Sequence, residues 1–125
     1  TTLGIPPAQI APFVAQRIGL AKARRIMLTA ARFTGKEAFE MGLADFIAKD
    51  ANDLKNIESD IIKGVMNCAP GANAITKEIV LATRHLERSE MIDFAAKGFA
   101  ERMLSDEGRE GIASFIEKRK PKWSK

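Results

Sequence analysis

Few side chains in this sequence are of the kinds that do chemistry, and their spacing narrows what they could do. His85 is the only histidine and Cys68 the only cysteine. An internal disulfide is therefore excluded, and a free thiol fits a reducing compartment. His85 falls near the C-terminal end of a helical stretch, where a cation meets the negative pole of the helix dipole, and this is its expected role. Cys68 continues an apolar stripe and is expected to pack. Metal binding needs several N, S or O ligands at suitable spacing, and none are offered. Neither a phosphate-cradling P-loop nor a dinucleotide glycine fingerprint is present. Two features remain. Phe115 is followed three residues later by Lys118, which sets an aromatic face and an ammonium on one side of a helix running to about Arg119. On residue type alone, Phe115 is core and Lys118 meets solvent. The turn Ala8, Gln9, Ile10 comes after two prolines and carries a single amide side chain.

Charge points to the same end of the molecule. The chain has 125 residues, 20 basic and 16 acidic, for a net charge of +4. The last nine positions, Glu117 to Lys125, hold five of the basic groups and one acidic group. The excess charge therefore sits in the tail. Such a cluster either attracts phosphate or solubilises an exposed end. Trp123 within it raises nucleic-acid binding as a further class, but the stretch is short and no recognition motif accompanies it. At 46% hydrophobic and 29% charged, the composition is that of a globular protein of one domain's length. No apolar run approaches the roughly 20 residues that span a bilayer. The N-terminus lacks the regions of a signal peptide. The start at Thr1-Thr2, without Met, suggests a processed, truncated or engineered beginning.

Positioning these groups falls to a succession of helices. Thr2 to Ile5 has the form of a strand end stopped by Pro6-Pro7. A helix from about Ala8 to Ile18 comes next, with Pro12 near its first turn and Gly19 closing it. Leu20 to Thr29 is a second helix, apolar at Leu20, Ala23, Met27 and Ala30. Thr34-Gly35-Lys36-Glu37 is a capping box, opening a short helix that ends at Met41-Gly42. Leu43 to Ala48 then forms a brief strand or extended edge. Asn52 or Asp53 caps a long helix whose stripe is Leu54, Ile57, Ile61, Val65 and Cys68. Pro70-Gly71 breaks it, and Ala72 to His85 buries Ile75, Ile79 and Ala82, with Leu86 beyond. The apolar face from Met91 to Leu104 is wider than one solvent-facing helix needs. Ser105-Asp106-Glu107 restarts the chain into a last helix, ended by Pro121. Two short strands cannot make a useful sheet, so the fold class is a mainly α-helical fragment of an α/β protein. No repeat and no interdomain linker is evident.

The ordered set of these pieces resembles the crotonase (enoyl-CoA hydratase/isomerase) family. It comprises Leu3-Gly4-Ile5-Pro6-Pro7, Arg17-Ile18-Gly19, Ala23 to Leu28-Thr29, Ala38 to Met41-Gly42-Leu43, and Ala69-Pro70-Gly71-Ala72 with Lys77. The most specific piece is Glu110-Gly111-Ile112 with Phe115, Glu117-Lys118-Arg119 and Pro121. The resemblance covers essentially the whole chain. Ala30 stands where the family has glycine, Ala44 where it has valine, and Ala8 to Ala11 where many members have Gly-x-Gly-Gly.

The resemblance implies the C-terminal part of a ββα spiral fold. Residues 1–50 would close its core, and residues 51–125 would form a helical region for trimerisation and CoA contact. It implies enzymes that bind acyl-CoA thioesters, hold the carbonyl with two backbone N–H groups, and use two glutamates as acid and base. In the family pattern one glutamate immediately precedes Thr1 and the other groups lie earlier. No catalytic residue is then expected in this chain, and alone it should be inert. Phe115 and Lys118 match positions that hold the adenine and phosphate end of CoA. Ala8, Gln9 and Ile10 border the acyl pocket, and Gln9 could hydrogen-bond a polar acyl group or a water. The unusual turn favours a branched or carboxylated enoyl-CoA. No cofactor is implied beyond coenzyme A as part of the substrate. The implied partners are the acyl-CoA and copies of the same chain, as a homotrimer or dimer of trimers, with no nucleic acid and no membrane. The implied location is the cytoplasm, or the mitochondrial matrix in a eukaryote. A non-catalytic helical oligomerisation module is the alternative.

Overall fold

The computed structural model describes residues 1–124. Its elements are the helices α1 (Ala11–Ile18), α2 (Leu20–Leu28), α3 (Gly35–Glu40), α4 (Ala51–Met66), α5 (Pro70–Ala82), α6 (Arg88–Met103) and α7 (Asp106–Ile116). Among the described residues there is no strand.

Both expected strands are therefore absent, and the backbone shows why. Thr2 to Ile5 curls into a turn closed by the Gly4 N–H on the Thr1 carbonyl at 3.0 Å. In the other segment, the Leu43 and Ala44 N–H groups both donate to the Ala38 carbonyl, at 2.8 and 3.2 Å. They finish α3 instead of offering a ladder. A strand needs a neighbour to satisfy its donors, and those of Gly4, Leu43 and Ala44 are already committed.

Helix starts obey local chemistry, with three shifts from expectation. α1 begins at Ala11 and not Ala8: the Ala11 N–H reaches the Pro7 carbonyl at 2.9 Å, but Pro12 has no N–H to continue that ladder onto Ala8. Asp50, rather than Asn52 or Asp53, caps α4: its Oδ1 accepts from the N–H groups of Asn52 and Asp53, each at 2.8 Å. Asp53 returns the bond, its Oδ2 accepting from the Lys49 N–H at 2.9 Å. α5 opens at Pro70, which suits the first helical position because its missing N–H would be unpaired there anyway. The capping box forms as expected, Thr34 Oγ1 accepting from the Glu37 N–H and Glu37 Oε2 from the Thr34 N–H.

Three helices end in the same left-handed turn with different residues in it. After α3 the position is Gly42, φ 81°. After α2 it is Ala30, φ 48°, and after α7 it is Lys118, φ 53°. In each, the left-handed residue donates to the third carbonyl before it. The next residue donates to the fifth carbonyl before itself, as in Ala31 N–H to Ile26 O at 2.9 Å and Arg119 N–H to Ser114 O at 3.0 Å. This is the Schellman arrangement, which favours glycine because a Cβ crowds the backbone there.

The chain divides into two compact units, Thr1–Ile57 and Glu58–Lys125, the division falling within α4. In the first, α1 packs against α2, and Ala23 and Ile26 are buried. Arg17 pairs with Asp45 at 2.5 Å, and Lys22 Nζ donates to the Met41 carbonyl at 3.1 Å. In the second, α6 packs on both α5 and α7, with Ala82, Gly98 and Ser114 buried. Gly98 permits the close approach of α5: a Cβ there would lie 3.0 Å from Ile75 Cγ2.

Burial is otherwise sparse. Leu3 is 86% and Leu20 80% exposed, and Phe13, Phe99 and Leu104 are likewise on the surface. The α4 stripe of Leu54, Ile61 and Val65 is exposed. Cys68, expected to pack, is exposed as well; its thiol donates to the Gly64 carbonyl. Helix-forming sequence and capping thus define these elements, whereas little of their apolar surface is covered within the chain.

Candidate functional site

α7 is built by its own first turn. Ser105 Oγ accepts from the Gly108 N–H at 3.1 Å, and Gly108 must be glycine: a Cβ would stand 2.1 Å from the Arg102 carbonyl oxygen. Glu107 then reaches to the first turn of α5 and accepts from the Gly71 N–H at 2.8 Å. A carboxylate at a helix N-terminus meets unpaired donors and the positive pole of the dipole.

At its other end α7 stops at Ile116, three residues short of the expected Arg119. Phe115 is in the last turn and 84% exposed, so within this chain it is not core. Lys118 lies beyond the helix in the left-handed turn, its N–H donating to the Phe115 carbonyl at 3.3 Å. The two do not share a helical face by i, i+3 spacing, as expected; they are joined through the terminal turn.

Past that turn, residues 119–124 fold back along α7 as a clasp. Glu110, its side chain 12% exposed, receives the Arg119 guanidinium in a two-pronged contact, Nη1 to Oε1 at 2.6 Å and Nη2 to Oε2 at 3.1 Å. Arg119 Nε also binds Glu117 Oε2 at 2.5 Å. The Lys122 N–H donates to Glu110 Oε1 at 3.0 Å, and Lys122 Nζ lies 3.8 Å from Oε2. The Arg119 hydrogen bonds hold the Glu110 carboxyl down at about 2; partial burial opposes them, and the Lys122 N–H and both cations assist. The Arg119 guanidinium is correspondingly raised, first by Glu110 and then by Glu117. Beyond Pro121, the Trp123 indole N–H donates to the Asn67 carbonyl at 3.3 Å, and Ser124 Oγ donates to Asn67 Oδ1 at 2.8 Å. The Trp123 ring stands 3.4 Å from where a Gly111 Cβ would be. It helps line a hollow of about 280 Å³ with Ala69, Ala72 and Ile112.

Through residue 124 the basic tail is therefore tied to the helix it follows and to Asn67. The Arg119 guanidinium is bound by Glu110 and Glu117 and the Lys122 N–H by Glu110, while the side chains of Lys118, Lys120 and Lys122 stay exposed. Sequence reading missed Glu110, Asn67 and Trp123 as its anchors. The one available signal was a lone tryptophan in a charged segment just past a proline.

In the other unit, Ala8, Gln9 and Ile10 are brought together with Ile5, Pro6 and Pro7 around an open hollow of about 420 Å³. The Ala8 N–H is spent on the Pro6 carbonyl at 2.8 Å, which keeps the turn tight. Among the described residues no cluster of three His, Cys, Asp or Glu side chains could hold a metal, and no helix is long and apolar enough to cross a membrane.

Comparison with known proteins agrees along the whole chain. The family model described as enoyl-CoA hydratase/isomerase matches residues 1–125. A peroxisomal Delta(3,5)-Delta(2,4)-dienoyl-CoA isomerase of Arabidopsis thaliana is 31% identical over 108 residues, which is 86% of this chain and 39% of the relative. The structure of Pseudomonas aeruginosa AtuE superposes with a TM-score of 0.96 at 48% identity, covering 99% of this chain and 48% of that one. An enoyl-CoA hydratase/isomerase from Marinobacter aquaeolei gives 0.95 at 40% identity, covering 99% and 47%. The chain thus spans less than half the length of these relatives.

Proposed function

The chain belongs to the enoyl-CoA hydratase/isomerase family, and from that membership we propose that it is the C-terminal part of an enzyme adding water across the 2,3 double bond of an enoyl-CoA. The match over residues 1–125 carries the proposal. The acyl chain is branched or carboxylated, because the turn at Ala8, Gln9 and Ile10 replaces the small residues common in the family and leaves Gln9 beside the pocket. The reacting groups, two glutamates and the two backbone donors that stabilise an enolate, belong to the segment before Thr1. This chain supplies none of them, and in isolation it is inert. Coenzyme A enters as part of the substrate.

The contribution of this chain is binding and assembly. Phe115 packs on the adenine and Lys118 meets a phosphate of the same nucleotide. The exposure of Phe115 supports this, since an aromatic side chain that is not core is available for stacking. The exposed apolar faces are covered by the rest of the enzyme and by copies of it, in a trimer or a dimer of trimers. The cytoplasm, or the mitochondrial matrix of a eukaryote, is the proposed location.

Kinetics of the complete enzyme test the binding roles. Lys118→Ala is expected to raise KM for a short enoyl-CoA about tenfold, the worth of one charge-assisted hydrogen bond, with kcat retained. An unchanged KM would remove Lys118 from the site.

The second reading is a helical oligomerisation module without catalysis, favoured by the many large apolar side chains left exposed. Absence of hydration by the complete polypeptide, combined with stable self-association, would select it.

A further inference from the structure

The clasp at the end of α7 does more than close a helix. A left-handed lysine is held against the crowding of its Cβ on the backbone, and such conformers persist where their surroundings over-determine them. Ala30 shows that the backbone motif alone suffices for the conformation. What α7 adds is a pair of anchors beyond the turn, both on Glu110: the Arg119 guanidinium through Nη1 and Nη2, and the Lys122 N–H, with Arg119 Nε bound to Glu117 besides. Chain on both sides of Lys118 is thereby fixed, by the helix before it and by Glu110 after it.

Electrostatics add a second effect. Glu110 and Glu117 are the acidic residues within this segment, and both carboxylates are occupied by Arg119. Without that occupation, either could capture the Lys118 ammonium or repel an approaching phosphate.

We propose that Glu110 is a positioning residue for acyl-CoA binding, acting through Arg119 to fix the turn at Lys118 and to keep its ammonium free for a phosphate of the nucleotide. The inference rests on the reading of Lys118 as a phosphate contact. It adds Glu110 and Arg119, which touch no substrate themselves, as determinants of affinity for the nucleotide end.

The test compares two substrates on the complete enzyme: a short enoyl-CoA, and the same enoyl group on pantetheine, which has no nucleotide. Glu110→Gln is expected to raise KM for the CoA thioester about threefold to tenfold at unchanged kcat. It should leave kcat/KM for the pantetheine thioester within about twofold. Equal losses on both thioesters would make the clasp purely structural and overturn the inference, as would no change on either. If Glu110→Gln does not fold, Arg119→Lys, which keeps the charge and loses the fork, is expected to discriminate between the substrates in the same way. Lys118→Ala separates the two layers. If Lys118→Ala discriminates and the clasp variants do not, the inference alone fails. If Lys118→Ala shows no discrimination, the phosphate reading fails and the inference with it.

Discussion

Glu110 and Arg119, nine positions apart, meet in a two-pronged contact of 2.6 and 3.1 Å that turns the chain back along α7. The contact sets an acid limit for the tail. The Glu110 carboxyl lies at about 2 against an ordinary 4.5, chiefly through the Arg119 hydrogen bonds. A depressed carboxylate contributes stability in full above its unfolded value and loses it as pH falls through the folded one. The clasp is expected to hold above about pH 4.5 and open between there and about pH 2. Trp123 is the only tryptophan, so its fluorescence should report the opening, and Glu110→Gln should remove the acid transition.

The three left-handed helix ends give a graded comparison. Gly42→Ala, at φ 81°, is expected to destabilise by about 1 kcal/mol. Ala30→Gly, at φ 48°, relieves the same crowding at some cost in unfolded-chain entropy, for a net gain of about 0.5 kcal/mol. Denaturant midpoints of the two variants should shift in opposite directions.

Gly108 admits no side chain. With a Cβ 2.1 Å from the Arg102 carbonyl oxygen, Gly108→Ala must displace backbone and is expected to cost about 2 kcal/mol or more. Gly64, with nothing within 4 Å of an added Cβ, is the control: Gly64→Ala should stabilise α4 by about 0.5–1 kcal/mol.

Thr34 closes the capping box of α3 through bonds with Glu37 of 3.3 and 2.7 Å. Thr34→Ala is expected to cost about 1 kcal/mol. The Thr34 backbone N–H and, second, its hydroxyl lower the Glu37 pKa; the variant keeps the first and loses the second, so it should raise the pKa only part of the way toward its ordinary value, a change that carboxyl NMR titration can track.

Helix identity was legible in the sequence wherever the signal was local. The Thr34 box, Gly19 and Gly42 each mark a boundary by chemistry that acts within four residues. The strand end expected at Thr2 to Ile5 and the brief strand or extended edge expected at Leu43 to Ala48 form no ladder, because residue type does not say where backbone donors go, and those of Leu43 and Ala44 go to Ala38. Likewise, Phe115 and Lys118 could be singled out by resemblance, but not the turn that separates them. A lysine carries no propensity for a left-handed position, so periodicity ran the helix past Ile116. Glu110, Asn67 and Trp123 act across 9 to 57 residues, a range at which spacing in one sequence is silent.

The most direct measurement is hydration of a short 2,3-enoyl-CoA, monitored by loss of the conjugated-thioester absorbance, with intact mass determined on the same samples. The 13.7 kDa chain is predicted to give no turnover, and the polypeptide in which the preceding segment is joined to Thr1 is predicted to hydrate the substrate. Turnover by the 13.7 kDa chain alone would contradict the assignment of the catalytic groups to the segment before Thr1. Failure of the joined polypeptide to hydrate any enoyl-CoA would contradict the proposed reaction.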